Sequence, residues 1–192
     1  MTIILASASP RRQELLKLFG FPFVVRVADI DETMDPSKAP FDEVGRVSRL
    51  KALAIPREPE DVVIAADTIV VCCGRVLGKP HSGAEAHEML RLLSGRDHQV
   101  MTGCTILCGD RCETFTEVTD LHFRDLGEEE IARYVRSGEP MDKAGAYGIQ
   151  GGAALFCQRM VGDYYNVMGL PVCRLWEVLR KTVPEIMEEQ TV

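Results

Sequence analysis

The segment Ser7-Ala8-Ser9-Pro10-Arg11-Arg12 places two arginines at the predicted start of a helix. Cations are disfavoured there because the first turn of a helix is the positive end of its dipole. A bound anion would reverse this cost, held by backbone N–H groups, the guanidinium groups of Arg11 and Arg12, and the hydroxyl of Ser7 or Ser9. The segment therefore predicts a phosphate-binding site. The alternative is that both arginines are solvated surface residues.

Two further charged residues fall in predicted apolar surroundings. Lys51 lies within the apolar arc of a helix expected from Phe41 to about Ile55. Asp67 interrupts a nearly continuous apolar, β-branched run over 62–71, which predicts a strand covered on both faces. A buried charge needs a partner, and open sheets bind ligands at strand ends. We therefore expect Asp67 to hold a metal or act as a base, and Lys51 to face anions. The alternatives are a structural aspartate and a lysine whose ammonium reaches the rim.

Three less specific segments could complete such a site. The acidic pair Asp31-Glu32 follows a predicted strand and could hold a hard divalent ion, unless it is a solvated loop. Lys79 precedes a proline, which restricts its backbone. The small residues of 142–151 would let the backbone approach a ligand closely while the amide of Gln150 reads a base edge. This last segment could equally be an inert tight loop.

Strands and helices alternate along the chain, which predicts an α/β fold. Strands are expected at 3–6, 23–27, 62–71, 99–108, 113–123 and around 153–156, and helices at 10–19, 41–55, 85–93, 128–135 and 173–181. The strands at 99–108 and 113–123 are expected to pair as an antiparallel hairpin. We expect one domain over residues 1–181, followed by an acidic tail over 182–192.

Composition excludes several classes of protein. The 192 residues include 22 Lys and Arg against 29 Asp and Glu, a net charge of −7, which argues against binding a nucleic-acid polymer or an anionic membrane. No apolar run approaches the ~20 residues that span a membrane, and no signal peptide is expected. The 7 cysteines, in no metal or redox spacing, suit a reducing compartment. A cytoplasmic location is therefore expected. A Ser-His-Asp hydrolase is not supported, because the sequence has no Gly-x-Ser-x-Gly motif.

Taken in order, these motifs resemble the Maf family of nucleoside triphosphate pyrophosphatases. No single motif is decisive, but the ordered set runs from residue 5 to residue 171. The matching segments are Leu5-Ala6-Ser7-Ala8-Ser9-Pro10-Arg11-Arg12, Asp31-Glu32, Lys51-Ala52, Ala66-Asp67-Thr68, Gly78-Lys79-Pro80, Leu93-Ser94-Gly95, Gly138-Glu139-Pro140, Ala144 to Gly151 and Gly169-Leu170-Pro171.

The resemblance implies an elongated α/β fold like that of inosine triphosphatase, with a mixed β-sheet flanked by helices and a deep cleft between two lobes. It implies a cytoplasmic enzyme, often a homodimer, that requires Mg²⁺ or Mn²⁺ and cleaves a nucleoside triphosphate to the monophosphate and pyrophosphate. The form of Ala146–Gly151 resembles the branch acting on dTTP and UTP, with modified pyrimidine nucleotides as further candidate substrates. The alternatives are the sister branch acting on 7-methyl-GTP, a nucleotide-binding regulator of cell division without turnover, and a phosphatase or kinase-like enzyme.

Position by position, the resemblance matches Asp67 to the catalytic proton acceptor. The positions that set base preference match Arg12, Thr68 and Gln150. Other residues important for activity match Ser7, Arg11, Glu32, Lys51 and Lys79. On this basis Glu32 and Asp67 are expected to hold the divalent metal with the triphosphate oxygens, and Asp67 to activate water. The expected phosphate-binding cations are Arg11, Arg12, Lys51 and Lys79.

Overall fold

The structure is a computed structural model that describes residues 1–189. Over these residues the chain forms seven strands and six α-helices, connected by loops and short 3₁₀ helices. The strands are β1 (Ile3–Leu5), β2 (Val24–Val25), β3 (Val62–Cys72), β4 (Arg75–Leu77), β5 (Asp97–Cys108), β6 (Arg111–Phe123) and β7 (Cys157–Val161). The helices are α1 (Pro10–Leu16), α2 (Pro40–Leu53), α3 (Gly83–Leu93), α4 (Glu128–Arg136), α5 (Tyr164–Met168) and α6 (Val172–Thr182).

The strands form one mixed sheet in the order β2-β1-β3-β5-β6-β7, with β4 paired to β3 outside this order. β1 is parallel to both of its neighbours, with Ile4 opposite Val24 on β2 and Val63 on β3. β4 is antiparallel to β3, and β7 is antiparallel to β6. The first five residues of β3 are all buried, as expected for a parallel strand covered on both faces. The predicted α/β class with a mixed sheet flanked by helices is confirmed.

The strand expected around residues 153–156 is wrong. Gly152–Leu155 form a 3₁₀ helix, and β7 begins only at Cys157. Ala153 and Phe156 are both buried, and their spacing of three is helical and not the alternation of a strand. A short apolar run does not by itself separate these two cases, which is why the sequence-based assignment failed here.

The chain divides into two compact units. The first unit comprises Met1–Asp67, Thr102–Glu117 and the described residues from Gly169 onward. The second comprises Thr68–Met101 and Val118–Met168. Each unit has its own apolar core. The single domain expected over residues 1–181 stays a prediction.

The expected acidic tail begins within the last turn of α6. It includes the 3₁₀ helix Pro184–Glu189, and its last three residues lie outside the described range. No helix within residues 1–189 combines the length and the apolar character needed to cross a membrane.

Gly103 of β5 makes a close backbone contact with α2 in the first unit. A Cβ on Gly103 would lie 2.7 Å from the amide nitrogen of Gly45 and nearer still to the carbonyl of Val44. We expect Gly103→Ala to lower the free energy of unfolding by about 2–3 kcal/mol, because α2 must shift to admit the methyl group. Denaturant titration measures the loss. Gly83→Ala is the control, because its Cβ meets Val135 at an ordinary 3.5 Å. Equal unfolding midpoints for the two variants would contradict the expectation.

His98 lies in the core of the second unit and is 3% exposed. Its ring packs edge-on against Phe123 and Tyr147, and Nε2 lies 3.0 Å from the hydroxyl of Tyr147. Burial lowers the pKa of His98 from 6.5 to about 4. Between these values the unfolded chain binds a proton that the folded chain does not. The stability from neutral His98 is therefore complete above pH 6.5 and falls as the pH is lowered, by up to about 3 kcal/mol.

Urea unfolding of the unsubstituted chain at pH 7, 6 and 5 should show this loss. The change His98→Gln should flatten the dependence in that interval whatever it does to stability at pH 7, because the titrating group is gone. An unchanged slope in the variant would refute the assignment to His98.

Candidate active site

Lys51 on α2 contacts two carboxylates of the first unit. Its Nζ lies 2.7 Å from Oδ1 of Asp67 and 2.9 Å from Oε2 of Glu32. The side chains of Lys51 and Asp67 are each 14% exposed, and that of Glu32 is 55% exposed. The ammonium of Lys51 thus faces two carboxylates of the protein, and its role in binding a ligand stays a prediction. One ammonium and two carboxylates thus form a polar cluster at the end of α2.

Asp67 lies in the middle of β3, in a partly exposed break between two buried stretches of the strand. Residues 62–66 are buried, whereas Asp67 and Thr68 are partly exposed. The neighbouring strand β1 ends at Leu5, which lies opposite Ile64. Asp67 therefore lies beyond the segment of β3 that pairs with β1. β3 itself continues to Cys72, so Asp67 is not at the end of its own strand, and the strand that ends before this position is the neighbouring β1.

Arg12 on α1 binds carbonyl groups of the protein itself. Its Nε donates to the carbonyl of Gly169 at 2.8 Å, and Nη1 donates to the carbonyl of Ala66 at 2.8 Å and to Oγ of Ser7 at 3.2 Å. Burial lowers the pKa of Arg12, and the nearby Asp67 carboxylate opposes this shift. Arginine remains charged in either case. The guanidinium therefore joins α1 to the residue before Asp67 and to the segment before α6.

Ser7 connects β1 to α1. Its hydroxyl, on a residue that is 7% exposed, accepts hydrogen bonds from Arg12 and from the amide of Ser9 at 3.2 Å. Ser9 is the N-cap residue of α1 and Pro10 begins the helix, as predicted. Arg11 follows in the first turn and is partly buried. The predicted helix start is confirmed, and the phosphate-binding role of this segment stays a prediction.

The loop that carries Glu32 is held by an ion pair within α2. Glu43, which is 2% exposed, accepts hydrogen bonds from Arg46 at 2.9 and 2.8 Å and from the amide of Asp35 at 2.8 Å. Arg46 also donates to the carbonyl of Thr33 at 2.8 Å. The hydrogen bonds from Arg46 and Asp35 lower the pKa of Glu43. The loop is therefore tied to the same helix that carries the ammonium group of the cluster.

The sequence-based reasoning missed this pair. Glu and Arg three positions apart on a helix are a frequent surface pattern, and only burial distinguishes this pair from a solvated one. Asp31, the other member of the acidic pair, is turned to the loop itself. Its Oδ1 accepts from the amide of Thr33 at 2.9 Å, and the hydrogen bonds from Thr33 lower the pKa of Asp31.

The other predicted site residues belong to the second unit. Thr68 directly follows Asp67 in β3 and is partly exposed. Lys79 is exposed after the end of β4, and Gln150 is exposed in a turn closed by a 3.0 Å hydrogen bond from Gly151 to Gly148. Within the first unit, Arg12 donates a hydrogen bond to Ser7, and Lys51 contacts both Glu32 and Asp67. The charge of Asp67 also acts on the nearby Arg12.

The segment of Lys79 is linked to the glycine-rich segment within the second unit. The carbonyl of Gly78 accepts from the amide of Gly145 at 3.0 Å. Gly145 has a φ of 67°, and a Cβ there would lie 2.8 Å from Cγ2 of Val70. Only glycine combines this conformation with this proximity to β3. The two segments therefore occupy defined positions relative to each other.

The candidate metal ligands are Glu32 and Asp67. Across the described residues there is no group of three or more His, Cys, Asp or Glu side chains that could hold a metal ion. The two carboxylates nevertheless converge on one cationic nitrogen. Mg²⁺ takes six oxygen ligands and commonly combines one or two carboxylates with substrate phosphates and water. The donor set fits Mg²⁺ or Mn²⁺ provided that a triphosphate completes the coordination.

Comparison with known proteins gives two kinds of match. A family model described as "Maf-like protein" matches residues 2–182. A protein of Bacillus cereus (strain AH820) and one of Bacillus anthracis, each named dTTP/UTP pyrophosphatase, are each 50% identical to the chain over 180 residues. The alignment covers 93% of this chain and 94% of either relative.

Among solved structures, a HAM1 protein from Coxiella burnetii matches with a TM-score of 0.50 at 18% identity. The match covers 94% of this chain and 100% of that one. At this identity the similarity concerns the fold alone, and it agrees with the mixed α/β sheet.

Proposed function

The chain belongs to the Maf family, and from that premise we propose that it hydrolyses dTTP and UTP to the nucleoside monophosphate and pyrophosphate. The observation that carries this proposal is the cluster in which the ammonium of Lys51 contacts both Asp67 and Glu32. All three residues stand at positions that the family resemblance assigns to activity. Relatives that are 50% identical are named for the same reaction.

Asp67 is the proposed proton acceptor. In this mechanism the carboxylate orients a water molecule and takes its proton as the oxygen attacks the α phosphorus. The bond from the α phosphorus to the bridging oxygen breaks, and pyrophosphate leaves with the electron pair. The hydrogen bond from Lys51 to Oδ1 holds the carboxylate in place. The position of Asp67 in a partly exposed stretch of β3 supports this role, because the carboxylate is not sealed in the core.

Glu32 and Asp67 are the proposed ligands of the divalent metal. When bound, Mg²⁺ or Mn²⁺ neutralises triphosphate charge and makes water a better nucleophile at neutral pH. Glu32 reaches the cluster from a loop fastened to α2 by Glu43 and Arg46, which supports a fixed position for this ligand. The proposed phosphate contacts are Arg11, Arg12, Lys51 and Lys79, and the proposed determinants of base preference are Arg12, Thr68 and Gln150.

One assay tests the proposal. Purified protein is incubated with Mg²⁺ or Mn²⁺ and a panel of dTTP, UTP, CTP, GTP and 7-methyl-GTP, and pyrophosphate and orthophosphate are measured separately. We expect the protein to release pyrophosphate from dTTP and UTP. EDTA should abolish this release of pyrophosphate, and an excess of Mg²⁺ or Mn²⁺ should restore it.

The same assay separates the alternatives. Pyrophosphate from 7-methyl-GTP and not from dTTP or UTP would assign the chain to the sister branch. Orthophosphate would indicate a phosphatase, and no product from any nucleotide would indicate a regulator that binds without turnover. The homodimer and the cytoplasmic location implied by the family stay predictions, and sedimentation of the purified chain tests the former.

A further inference from the structure

A phenol and a carboxylate in the second unit bind both ends of the turn that carries Gln150. The hydroxyl of Tyr134 accepts a hydrogen bond from the amide of Gly148 at 3.0 Å and donates to Oε1 of Glu139 at 2.9 Å. Oε2 of Glu139 accepts from the amide of Gly152 at 3.1 Å. The two side chains thus link the residues on either side of the turn through a continuous chain of hydrogen bonds.

The turn is built around this pair of side chains. A Cβ on Gly148 would lie 3.0 Å from Oε1 of Glu139, and one on Gly151 would overlap the carboxylate. A Cβ on Gly152 would lie 3.2 Å from Cε2 of Tyr134. The absence of side chains at these three positions therefore lets the backbone approach the carboxylate and the ring closely.

The pair itself is held rigidly. Tyr134 is 7% exposed, and its ring packs edge-on against Phe156 with the centroids 5.1 Å apart. Burial raises the pKa of Tyr134, so the phenol keeps its proton and donates at neutral pH. Lys143 donates to the backbone carbonyl of Glu139 at 2.6 Å. The carboxylate and the phenol are thus placed before any ligand binds.

Ile149 and Gln150 occupy the two central positions of the turn and have opposite surroundings. Ile149 is 6% exposed and packs into the core of the second unit, whereas Gln150 is exposed. Burial of Ile149 alone fixes the depth of the turn. The hydrogen bonds at Gly148 and Gly152 also fix its rotation, and hence the direction in which the Gln150 amide is presented.

We propose that Tyr134 and Glu139 are positioning residues that orient the Gly148–Gly152 turn and thereby set how strictly Gln150 discriminates among nucleotide bases. This inference rests on the proposed function, in which Gln150 is a determinant of base preference. Neither side chain is proposed to touch the substrate. They act by orienting the side-chain amide of Gln150, which is proposed to contact the base.

The test compares Tyr134→Phe with the unsubstituted chain. This change keeps the packed ring, removes the hydroxyl and leaves the amide of Gly148 without its acceptor. We expect the ratio of kcat/KM for dTTP to that for CTP to fall by about tenfold, because small misplacements of a positioning group carry large penalties. In a Gln150→Ala background the same change should leave the ratio unaltered, because the residue whose orientation matters is gone.

Amide hydrogen exchange supplies a readout that does not depend on turnover. The amide of Gly148 should exchange at least tenfold faster in Tyr134→Phe, which removes its acceptor, and the amide of Gly152 at least tenfold faster in Glu139→Ala, which removes the carboxylate that it donates to. Tyr164→Phe is the matched control, because Tyr164 is an exposed tyrosine of the same unit. It should change neither the exchange nor the ratio.

Unaltered selectivity in both folded variants would overturn the proposal, as would an equal loss of kcat/KM for every nucleotide, which indicates a structural role only. No pyrophosphate from any nucleotide with the unsubstituted chain would overturn the proposed function, and the selectivity role with it. In that case the exchange measurement would still show whether the two side chains hold the turn. The two failures are therefore distinguishable.

Discussion

The change Asp67→Asn should lower turnover by about 10²–10⁴-fold while the chain still folds, which is the range that general base catalysis contributes. The amide has nearly the same shape as the carboxylate, and its oxygen can still accept the hydrogen bond from Lys51. What it loses is the capacity to take a proton from water and a strong ligand for a divalent ion. The loss should therefore appear in kcat for dTTP and UTP.

The folded state of this variant is checked by thermal unfolding and circular dichroism. Asp110→Asn is the matched control, because Asp110 is an exposed aspartate in the turn between β5 and β6. It should retain the full rate. Full activity in a folded Asp67→Asn chain would show that Asp67 is not the proton acceptor. The proposed pyrophosphatase activity would still stand if the unsubstituted chain releases pyrophosphate.

The change Arg12→Lys should both destabilise the first unit and slow the reaction. Arg12 uses Nε and Nη1 to reach the carbonyls of Gly169 and Ala66 and the hydroxyl of Ser7. A lysine ammonium cannot reproduce these directions from one nitrogen. We expect the free energy of unfolding to fall by about 3 kcal/mol, since buried carbonyls lose charged donors.

The same change should reduce kcat/KM by about a hundredfold, because Ala66 precedes the proposed proton acceptor and a shift there displaces it. Urea unfolding and steady-state kinetics measure the two effects. The control Arg49→Lys concerns an exposed arginine on α2 and should change neither quantity by a measurable amount. Wild-type stability in Arg12→Lys would show that these hydrogen bonds do not hold the unit together.

The residues near 7–20 show what a local sequence pattern can predict, namely where a helix begins and where it ends. Ser9 and Pro10 mark the start of a helix, and the structure begins α1 there. Gly20 ends the turn that follows α1, with a φ of 77°. These residues act through their own backbone preferences and their immediate neighbours. The failure at 153–156 has the same origin, because a run of four apolar residues is compatible with a strand and with a helical turn.

Arg12 shows what a local sequence pattern cannot predict, namely the distant groups that a side chain contacts. Two arginines at a helix start indicate a bound anion, but the acceptors that the structure gives Arg12 include carbonyls 54 and 157 positions away along the chain. Likewise the apolar pattern of α2 places Lys51 on the apolar arc of that helix, but it does not predict that Glu32 and Asp67 contact Lys51. Tyr134 and Glu139 lie close in sequence, and their connection to Gly148 and Gly152 still depends on how the glycine-rich segment packs.

The order of apolar and polar residues was thus enough to predict the class of fold, most of its helices and strands, and the charged residues that needed an explanation. It was enough because periodicity, capping and turns depend on a few adjacent residues. The partners of those charges came from strand pairing and packing. Ile3 pairs with Val62 across the sheet, and this parallel pairing sets the end of β1 beside the run that leads to Asp67. Such contacts depend on the whole chain closing around its cores, which is why no local segment could specify them.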